Sequence, residues 1–244
     1  MRDPSTRGAA RAQPQSRSRG SDAPQHPLPG FEDPVSSSPE GPSQNRILGL
    51  AVPAFFPQHD ARIHSMIYGE APGPRGADKS GIPFWGDRAG LPLYRSLAAA
   101  ECARIPEEAW SDWDGLRLHR EGLRPVLEGV SLSNAFPLCP SSDGLRFRAP
   151  TRSELQSTEN LERLRGELAE GLRRGASRVV TLGKCAGDTL GPLAAEAGLE
   201  WVRLVHPSAQ GLLSEAPGRG RGLRLSDLQA AWEKHLTYLL QTHH

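Results

Sequence analysis

From Arg46 onward the chain alternates short apolar runs with longer amphipathic stretches, and this alternation constrains the fold more than any other feature. The apolar runs Ile63–Tyr68, Val130–Phe136, Arg178–Leu182 and Trp201–Val205 predict four strands. Because a helical stretch separates successive strands, the connections are right-handed crossovers and the sheet is parallel. The sequence therefore predicts an α/β protein, a three-layer α/β/α sandwich with a central four-stranded parallel sheet.

The helices are predicted from apolar positions that recur with helical spacing. They cover Leu91–Ala103, Ser157–Gly175, Cys185–Ala197 and Ser226–Gln241. Residues 98–128 are polar, with seven acidic residues and four arginines, and have no strand-like run. We expect this segment to be a helical insertion at the surface.

The first 45 residues differ in composition from the rest. They hold eight prolines and eight serines but only four bulky apolar residues, Met1, Leu28, Phe31 and Val35. Such a segment cannot bury enough apolar area to offset the entropy of the chain, so residues 1–45 are predicted to be disordered. They form either a solvated extension or a weak tether to nucleic acid. Residues 46–244 are predicted to form the α/β domain.

Charge and cysteine content exclude several classes of protein. The 29 basic and 28 acidic residues leave a net charge of +1, unlike a polycationic nucleic-acid coat. No run approaches the ~18 apolar residues of a membrane span, and no apolar segment follows Met1, which predicts a cytoplasmic chain with no membrane partner. The three cysteines are far apart, which excludes disulfide frameworks and four-cysteine metal sites. We expect no metal, no cofactor and a monomer.

Polar side chains cluster in the loops that follow the predicted strands, where parallel sheets bind ligands. These loops contain GEAPGPRGADKSGIPFWGD, SNAFPLCP, GKCAG and HPSAQ. Together they would bring to one pocket Glu70, Asp78, Phe84, Asn134, His206 and Ser208. An aromatic ring, an amide, a carboxylate and an imidazole suit a flat heterocycle. Taken singly, each has a structural alternative: HPS as a plain turn, Asn134 as a loop cap and Phe84 as core.

In order and spacing, these loops resemble the uracil-DNA glycosylase superfamily, from Met66 to about His235. The first loop, Gly69–Asp87, aligns without a gap with the family-five pattern G-L-A-P-A-x-x-G-x-N-R-T-G-x-x-F-x-G-D. GEAPG and PFWG are also similar to the family-four loop. HPSAQ again resembles family five, and VVTLGKCAGDTL is similar to a conserved superfamily segment. Family five is the nearer resemblance.

The resemblance implies a role for several residues in binding an extruded base. Phe84 would stack on the base and Asn134 would read its Watson–Crick edge. Gly69 and Ala71 would lie against the base. His206 would donate a hydrogen bond to O2, where negative charge develops.

A carboxylate near C1′ would stabilise the cationic sugar and orient water. Asp78 is the first choice for this role and Glu70 the second. The main-chain N–H groups of Gly73–Gly76 are expected to supply further donors.

The resemblance also implies a DNA-binding loop. Residues 208–224 would enter the minor groove, and Ser208, Gln210, Arg219 and Arg221 are the expected DNA contacts. Arg203–Arg224 contains four arginines and one glutamate, which predicts a positive rim and strongly salt-dependent binding. The alternative is an ordinary solvated loop.

Three departures separate the chain from the family pattern. Ala77 stands where family four has a glutamate, and Glu70 stands where family five has an apolar residue. The four cysteines that bind an iron–sulfur cluster in both families are missing, and Cys139 alone lies near one of those positions.

The function that the resemblance implies is that of a monofunctional DNA glycosylase for base excision repair. It would excise uracil, hypoxanthine or xanthine from double- or single-stranded DNA.

Two alternatives remain open at this stage. One is a catalytically impaired module of the same fold that binds uracil-DNA. The other is an unrelated hydrolase of small nucleosides, although the chain has no GxSxG motif.

Overall fold

The computed structural model describes residues 45–58 and 61–242. The predicted disordered segment 1–45 therefore lies outside the described residues, except for Asn45. Within these residues there are six strands: β1 Ile63–Gly69, β2 Ala103–Arg104, β3 Val126–Leu127, β4 Gly129–Asn134, β5 Arg178–Leu182 and β6 Glu200–Leu204. The helices are α1 Ala77–Ser80, α2 Gly90–Ala99, α3 Gly115–Arg120, α4 Arg152–Leu155, α5 Thr158–Arg173, α6 Lys184–Glu196, α7 Ala209–Glu215 and α8 Leu225–Gln241.

The central sheet has the order β4-β1-β5-β6, and every neighbouring pair is parallel. These are the four predicted strands, and the prediction of a four-stranded parallel sheet is confirmed. The strand β1 lies inside the sheet, and its last residue, Gly69, is paired with Asn134 at the end of β4. The carboxyl ends of β1 and β4 therefore meet at one edge, as a ligand site at that edge requires.

Apolar side chains of the sheet pack into two separate cores because successive residues of a strand point to opposite faces. Ile67 and Val180 belong to the core under α2 and α8, whereas Met66 and Val179 belong to the core under α5 and α6. A helical layer thus covers each face of the sheet. The three-layer α/β/α sandwich predicted from the sequence is confirmed.

The segment 98–128 is only partly helical. It contains the two-stranded antiparallel sheet β2–β3, a turn of 3₁₀ helix at Glu107–Trp110 and the six-residue α3. Its aromatic residues pack on the loop after β1: the rings of Trp113 and Trp85 lie 4.7 Å apart, and the Trp113 indole N–H donates to the Asp87 carbonyl at 2.7 Å. The segment therefore braces the loop that follows β1.

Among the described residues, no helix is long and apolar enough to cross a membrane.

Candidate active site

A cavity of about 930 Å³ opens at the carboxyl end of the sheet. Residues that follow all four strands line it: Glu70 after β1, Phe147 after β4, Gly183 after β5 and His206 after β6. The cavity therefore lies at the loops that follow the four strands, where the sequence predicts a pocket. Its lining also includes residues to which the sequence assigned no role, namely Arg88, Arg148, Lys184, Cys185 and Asp188.

Phe84 and Asn134 lie close together against the α-carbon of Gly69. A β-carbon built on Gly69 would be 2.6 Å from the edge of the Phe84 ring and 2.8 Å from Asn134 Oδ1. Only glycine fits at this position without displacing one of these side chains. The aromatic and amide groups predicted to act on one base are thus adjacent in the folded chain.

The backbone at Phe84 adopts a conformation that L-residues rarely use, with φ at 63°. Neighbouring contacts hold this strained turn: the Tyr94 hydroxyl donates to the Pro83 carbonyl at 2.9 Å, and Ser80 Oγ donates to the Trp85 carbonyl at 2.8 Å. Gly90 lets α2 approach the Phe84 carbonyl where a β-carbon would collide with it. Strain of about 1–3 kcal/mol at a ring that lines a cavity is typical of a functional position.

The carboxamide of Asn134 is buried, and its Nδ2 has no hydrogen-bond partner within the part of the chain that the structure describes. An unsatisfied buried donor costs about 1–3 kcal/mol, so its presence calls for an explanation. Asn134 is not itself among the residues that line the cavity. Its Oδ1 lies beside Gly69, next to the ring of Phe84, and Phe84 does line the cavity.

Side chains of α5 hold the end of β4. The Arg163 guanidinium donates to the main-chain carbonyls of Asn134 at 3.0 Å and Ala135 at 3.1 Å, and it also pairs with Glu167. Glu167 accepts a second hydrogen bond from Ser133 Oγ at 2.8 Å, and Asn160 Nδ2 donates to the Ala135 carbonyl at 2.9 Å. Burial raises the pKa of the Glu167 carboxyl above its usual range. This network fixes the backbone from which the Asn134 carboxamide projects.

His206 lines the cavity, and a main-chain hydrogen bond determines which ring nitrogen carries its proton. The Ser208 amide N–H donates to His206 Nδ1 at 3.2 Å, so Nδ1 is an acceptor and the proton of a neutral ring lies on Nε2. Burial lowers the pKa of this imidazole below its usual value, which favours the neutral form. His206 is therefore a neutral hydrogen-bond donor through Nε2.

Of the two predicted carboxylates, Glu70 lines the cavity and Asp78 does not. Partial burial raises the pKa of Glu70. Asp78 is buried on α1, and its two oxygens accept the amide N–H groups of Leu48 and Gly49, each at 2.8 Å. Lys79 Nζ lies 3.0 Å from the same carboxylate. Asp78 thus fixes the chain that precedes β1.

The expectation of free amide donors in Gly73–Gly76 is wrong for both glycines. Asp87 accepts the N–H groups of Gly73 at 3.2 Å, Gly76 at 2.8 Å and Ala77 at 3.0 Å. Burial raises the pKa of Asp87 to about 6 despite these three hydrogen bonds. Asp87, to which the sequence assigned no role, therefore shapes the loop instead. The G-D pair at the end of the family pattern is the signal that marked it.

The family model of the uracil DNA glycosylase superfamily matches residues 54–234. This chain belongs to that superfamily. The type-5 uracil-DNA glycosylase of Thermus thermophilus is 32% identical over 171 residues, which cover 70% of this chain and 65% of that relative, so the match spans just under two thirds of the relative's length. A solution NMR structure from Methanosarcina acetivorans, proposed to be a uracil DNA glycosylase, aligns with 77% of this chain and 99% of its own, with 15% identity and a TM-score of 0.39.

Relative to families four and five of the superfamily, this chain lacks the residues for an iron–sulfur cluster. Cys102 is buried next to the Ala100 carbonyl, Cys185 lines the cavity and Cys139 is buried elsewhere. Within residues 45–58 and 61–242, no three His, Cys, Asp or Glu side chains group closely enough to hold a metal ion. The residues present do not fit such a cluster.

The remaining predicted residues of this superfamily member divide into two sets. Ala71, Ser208 and Gln210 line the cavity, and Ser208 caps α7 by accepting the Gly211 N–H at 3.1 Å. Arg219 and Arg221 are exposed beyond α7 and do not line the cavity. The helix α7 was not predicted, because seven residues carry too little periodicity.

Proposed function

We propose that this superfamily member is a monofunctional DNA glycosylase that excises uracil, or another deaminated base such as hypoxanthine or xanthine, from DNA. The observation that carries the proposal is the buried Asn134 carboxamide: its Oδ1 lies beside Gly69 next to the Phe84 ring, and its Nδ2 has no partner among the described residues. An extruded base would supply the missing acceptor and the flat surface for stacking. A base that presents the wrong edge would leave the amide unpaired, which gives selectivity.

In the proposed reaction, the C1′–N bond breaks and its electron pair goes to the base, which leaves as an anion. His206 supports that anion through its Nε2 proton, because Nδ1 is occupied by the Ser208 amide. The sugar becomes cationic at C1′, and the carboxylate of Glu70 stabilises it and orients a water molecule. Water adds a hydroxyl group at C1′ and releases one proton to solvent, and the base anion takes up one proton from solvent, so the two balance. The products are a free base and an abasic site.

Glu70 is preferred to Asp78 as the catalytic carboxylate because of where each side chain lies. Glu70 lines the same cavity as Phe84 and His206, whereas both Asp78 oxygens accept main-chain hydrogen bonds from Leu48 and Gly49. A carboxylate that is held in this way is not available to a sugar in the cavity. The role first assigned to Asp78 passes to Glu70 in this proposal.

DNA would approach over the loop after His206. Gln210 lines the cavity and Arg219 and Arg221 are exposed nearby in sequence, so they remain the proposed DNA contacts. Lys184 and Arg88 are exposed and line the cavity, which adds cationic groups for phosphates. Binding should weaken steeply with salt, since phosphate contacts release counterions.

One observation favours a second candidate, a module that binds uracil-DNA without cleaving it. Asp78, the carboxylate aligned with the family's first loop, lies outside the cavity. A single panel separates the two candidates: oligonucleotides that carry uracil, hypoxanthine, xanthine or thymine opposite each base, assayed by gel shift and by alkaline cleavage. A glycosylase leaves alkali-labile sites in at least one deaminated substrate. A binding module shifts uracil-DNA but leaves every strand intact after alkali.

A further inference from the structure

Three exposed apolar side chains lie in one loop after β4, and this loop reaches the cavity. In the segment 138–148, Leu145 is 60% exposed, Phe147 46% and Leu138 36%. Phe147 lines the same cavity as Phe84 and His206. Large apolar groups in water at the rim of a site are typical of surfaces that contact a ligand.

This loop is held in one shape by its own hydrogen bonds. Asp143 Oδ1 accepts the amide N–H groups of Leu145 at 2.9 Å and Arg146 at 2.8 Å, and Ser141 Oγ accepts that of Gly144 at 2.9 Å. Ser141 also forms a β-bridge with Phe147. The aromatic ring is therefore presented without an entropic cost of ordering the loop, which favours binding.

The charges around the loop fit a nucleic-acid strand. Arg146 is exposed next to Phe147, and Arg88 is exposed on the cavity lining. The Arg148 guanidinium donates two hydrogen bonds to the Glu154 carboxylate, at 2.7 Å and 2.5 Å. This ion pair orders the loop. An exposed aromatic ring on a cavity that cationic side chains also line is suited to bind unstacked bases along a phosphate backbone.

We propose that Phe147, supported by Leu145, is a second stacking platform that binds an unstacked nucleobase next to the flipped one. This inference rests on the proposed function, because it places the lesion strand in the cavity. The cavity volume, at the upper end of the range for small-molecule sites, leaves room for more than one nucleotide. The platform would favour single-stranded or mispaired DNA over fully paired duplex, since only unstacked bases can reach it.

The test measures Kd by fluorescence anisotropy for uracil-free single strands and uracil-free paired duplexes of one sequence, with the full chain. Phe147→Ala should weaken single-strand binding about tenfold or more, from the usual value of one stacked base, and should affect paired duplex much less. Phe147→Trp should restore single-strand binding, and Leu145→Ala should weaken it less. Tyr238→Ala, an aromatic residue 67% exposed on α8, is the matched control and should leave both constants unchanged.

Three results would overturn this inference. The first is a Phe147→Ala variant that binds single strands as tightly as the unaltered chain. The second is an equal loss for strand and duplex, which indicates charge or shape alone. The third is a fall in Tm without DNA and no change in either Kd, which indicates that Phe147 serves only to pack the loop. Because these probes contain no uracil, failure of base excision is scored separately in the oligonucleotide panel.

Discussion

The guanidinium of Arg163 donates a 3.0 Å hydrogen bond to the main-chain carbonyl of Asn134. This bond links the outer helix α5 to the one residue whose amide is expected to read the base. The same guanidinium pairs with Glu167, whose side chain is only 10% exposed. The Arg163 side chain thus helps Asn160 to fix the end of β4, and it also pairs with a buried carboxylate.

Arg163→Met should therefore reduce both stability and base excision. Breaking a largely buried ion pair costs about 3 kcal/mol, because the Glu167 carboxyl would be left buried without its partner. Excision per folded molecule should fall as the Asn134 carboxamide moves. The free energy of unfolding from urea titration and the single-turnover rate well below Tm measure the two effects.

The matched control is Arg165→Met on the same helix, since Arg165 is 51% exposed and makes a single 3.4 Å contact with Glu196. It should change stability by less than about 0.5 kcal/mol. An Arg163→Met variant with reduced stability but an unchanged rate would show that the network has no part in positioning Asn134.

Gly69→Ala should impair the site by separating Phe84 from Asn134. Its β-carbon would lie 2.6 Å from the ring and 2.8 Å from Oδ1, so one side chain must move. Overpacking of this kind costs about 1–3 kcal/mol of stability. Single-turnover kinetics should show at least a tenfold slower release, by analogy with other misplaced catalytic groups, where about 1 Å costs up to 10²-fold.

Gly166→Ala is the control for that substitution. A β-carbon on Gly166 meets nothing within 4 Å, and the residue is exposed in α5. Alanine is the better helix former, so stability should rise by about 0.5–1 kcal/mol with an unchanged rate. If Gly69→Ala behaves in the same way, Phe84 and Asn134 do not act as a unit.

The pH dependence of base excision should report Glu70. Burial raises the pKa of Glu70 above 4.5, and the proposed role requires the ionised form. The rate should therefore fall as pH drops, with a midpoint above 4.5. Burial lowers the His206 pKa below 6.5, so its protonation adds to this fall only at acidic pH.

The Glu70→Gln variant should excise the base more slowly. Its pH profile should lose the part of the fall at low pH that comes from protonation of Glu70. Rates measured under single-turnover conditions from pH 4 to 8 test this, with folding verified at each pH by circular dichroism. If the variant keeps both the rate of the unaltered chain and its fall at low pH, Glu70 is not the catalytic carboxylate.

Asp78→Asn should destabilise the chain without changing the pH profile of excision. Asparagine has only one acceptor oxygen, so it can retain one of the hydrogen bonds from Leu48 and Gly49, and it loses the charge beside Lys79. Losing a hydrogen bond to a charged group costs about 1.5–3 kcal/mol. Thermal unfolding and the pH profile together test the assignment, and a large loss of rate at unchanged Tm would return the catalytic role to Asp78.

The sheet could be predicted from the sequence because its strands are buried on both faces. All five residues of β5, Arg178–Leu182, are buried, and the prediction gave the same bounds. For α6 the prediction was shifted by one residue, 185–197 against Lys184–Glu196. Continuous apolar runs and helical periodicity are local signals, and they suffice for such elements.

The sequence could not show where the side chains of Asp78 and Asp87 point, because their hydrogen-bond partners lie far away in sequence. Asp78 is held by Leu48 and Gly49, about 30 residues earlier, and Asp87 is held by amides 10 to 14 residues earlier. The same limit applies to the segment 98–128, which the sequence predicts to be a helical insertion. Its pairing of Ala103 with Leu127 and its packing of Trp113 on Trp85 are contacts that local periodicity does not encode.

The most direct test of the account is mass-spectrometric detection of free base after incubation with DNA that contains one uracil. We expect release of free uracil and a strand that is cut only after alkali. The rate should be about 10²–10³ lower in His206→Ala, the usual effect of losing one donor to a developing anion. His235→Ala, at an exposed position on α8, should retain the full rate. Absence of any released base would contradict the account. Strand cleavage without alkali would contradict its monofunctional chemistry and indicate attack by an amine such as Lys184, which lines the same cavity.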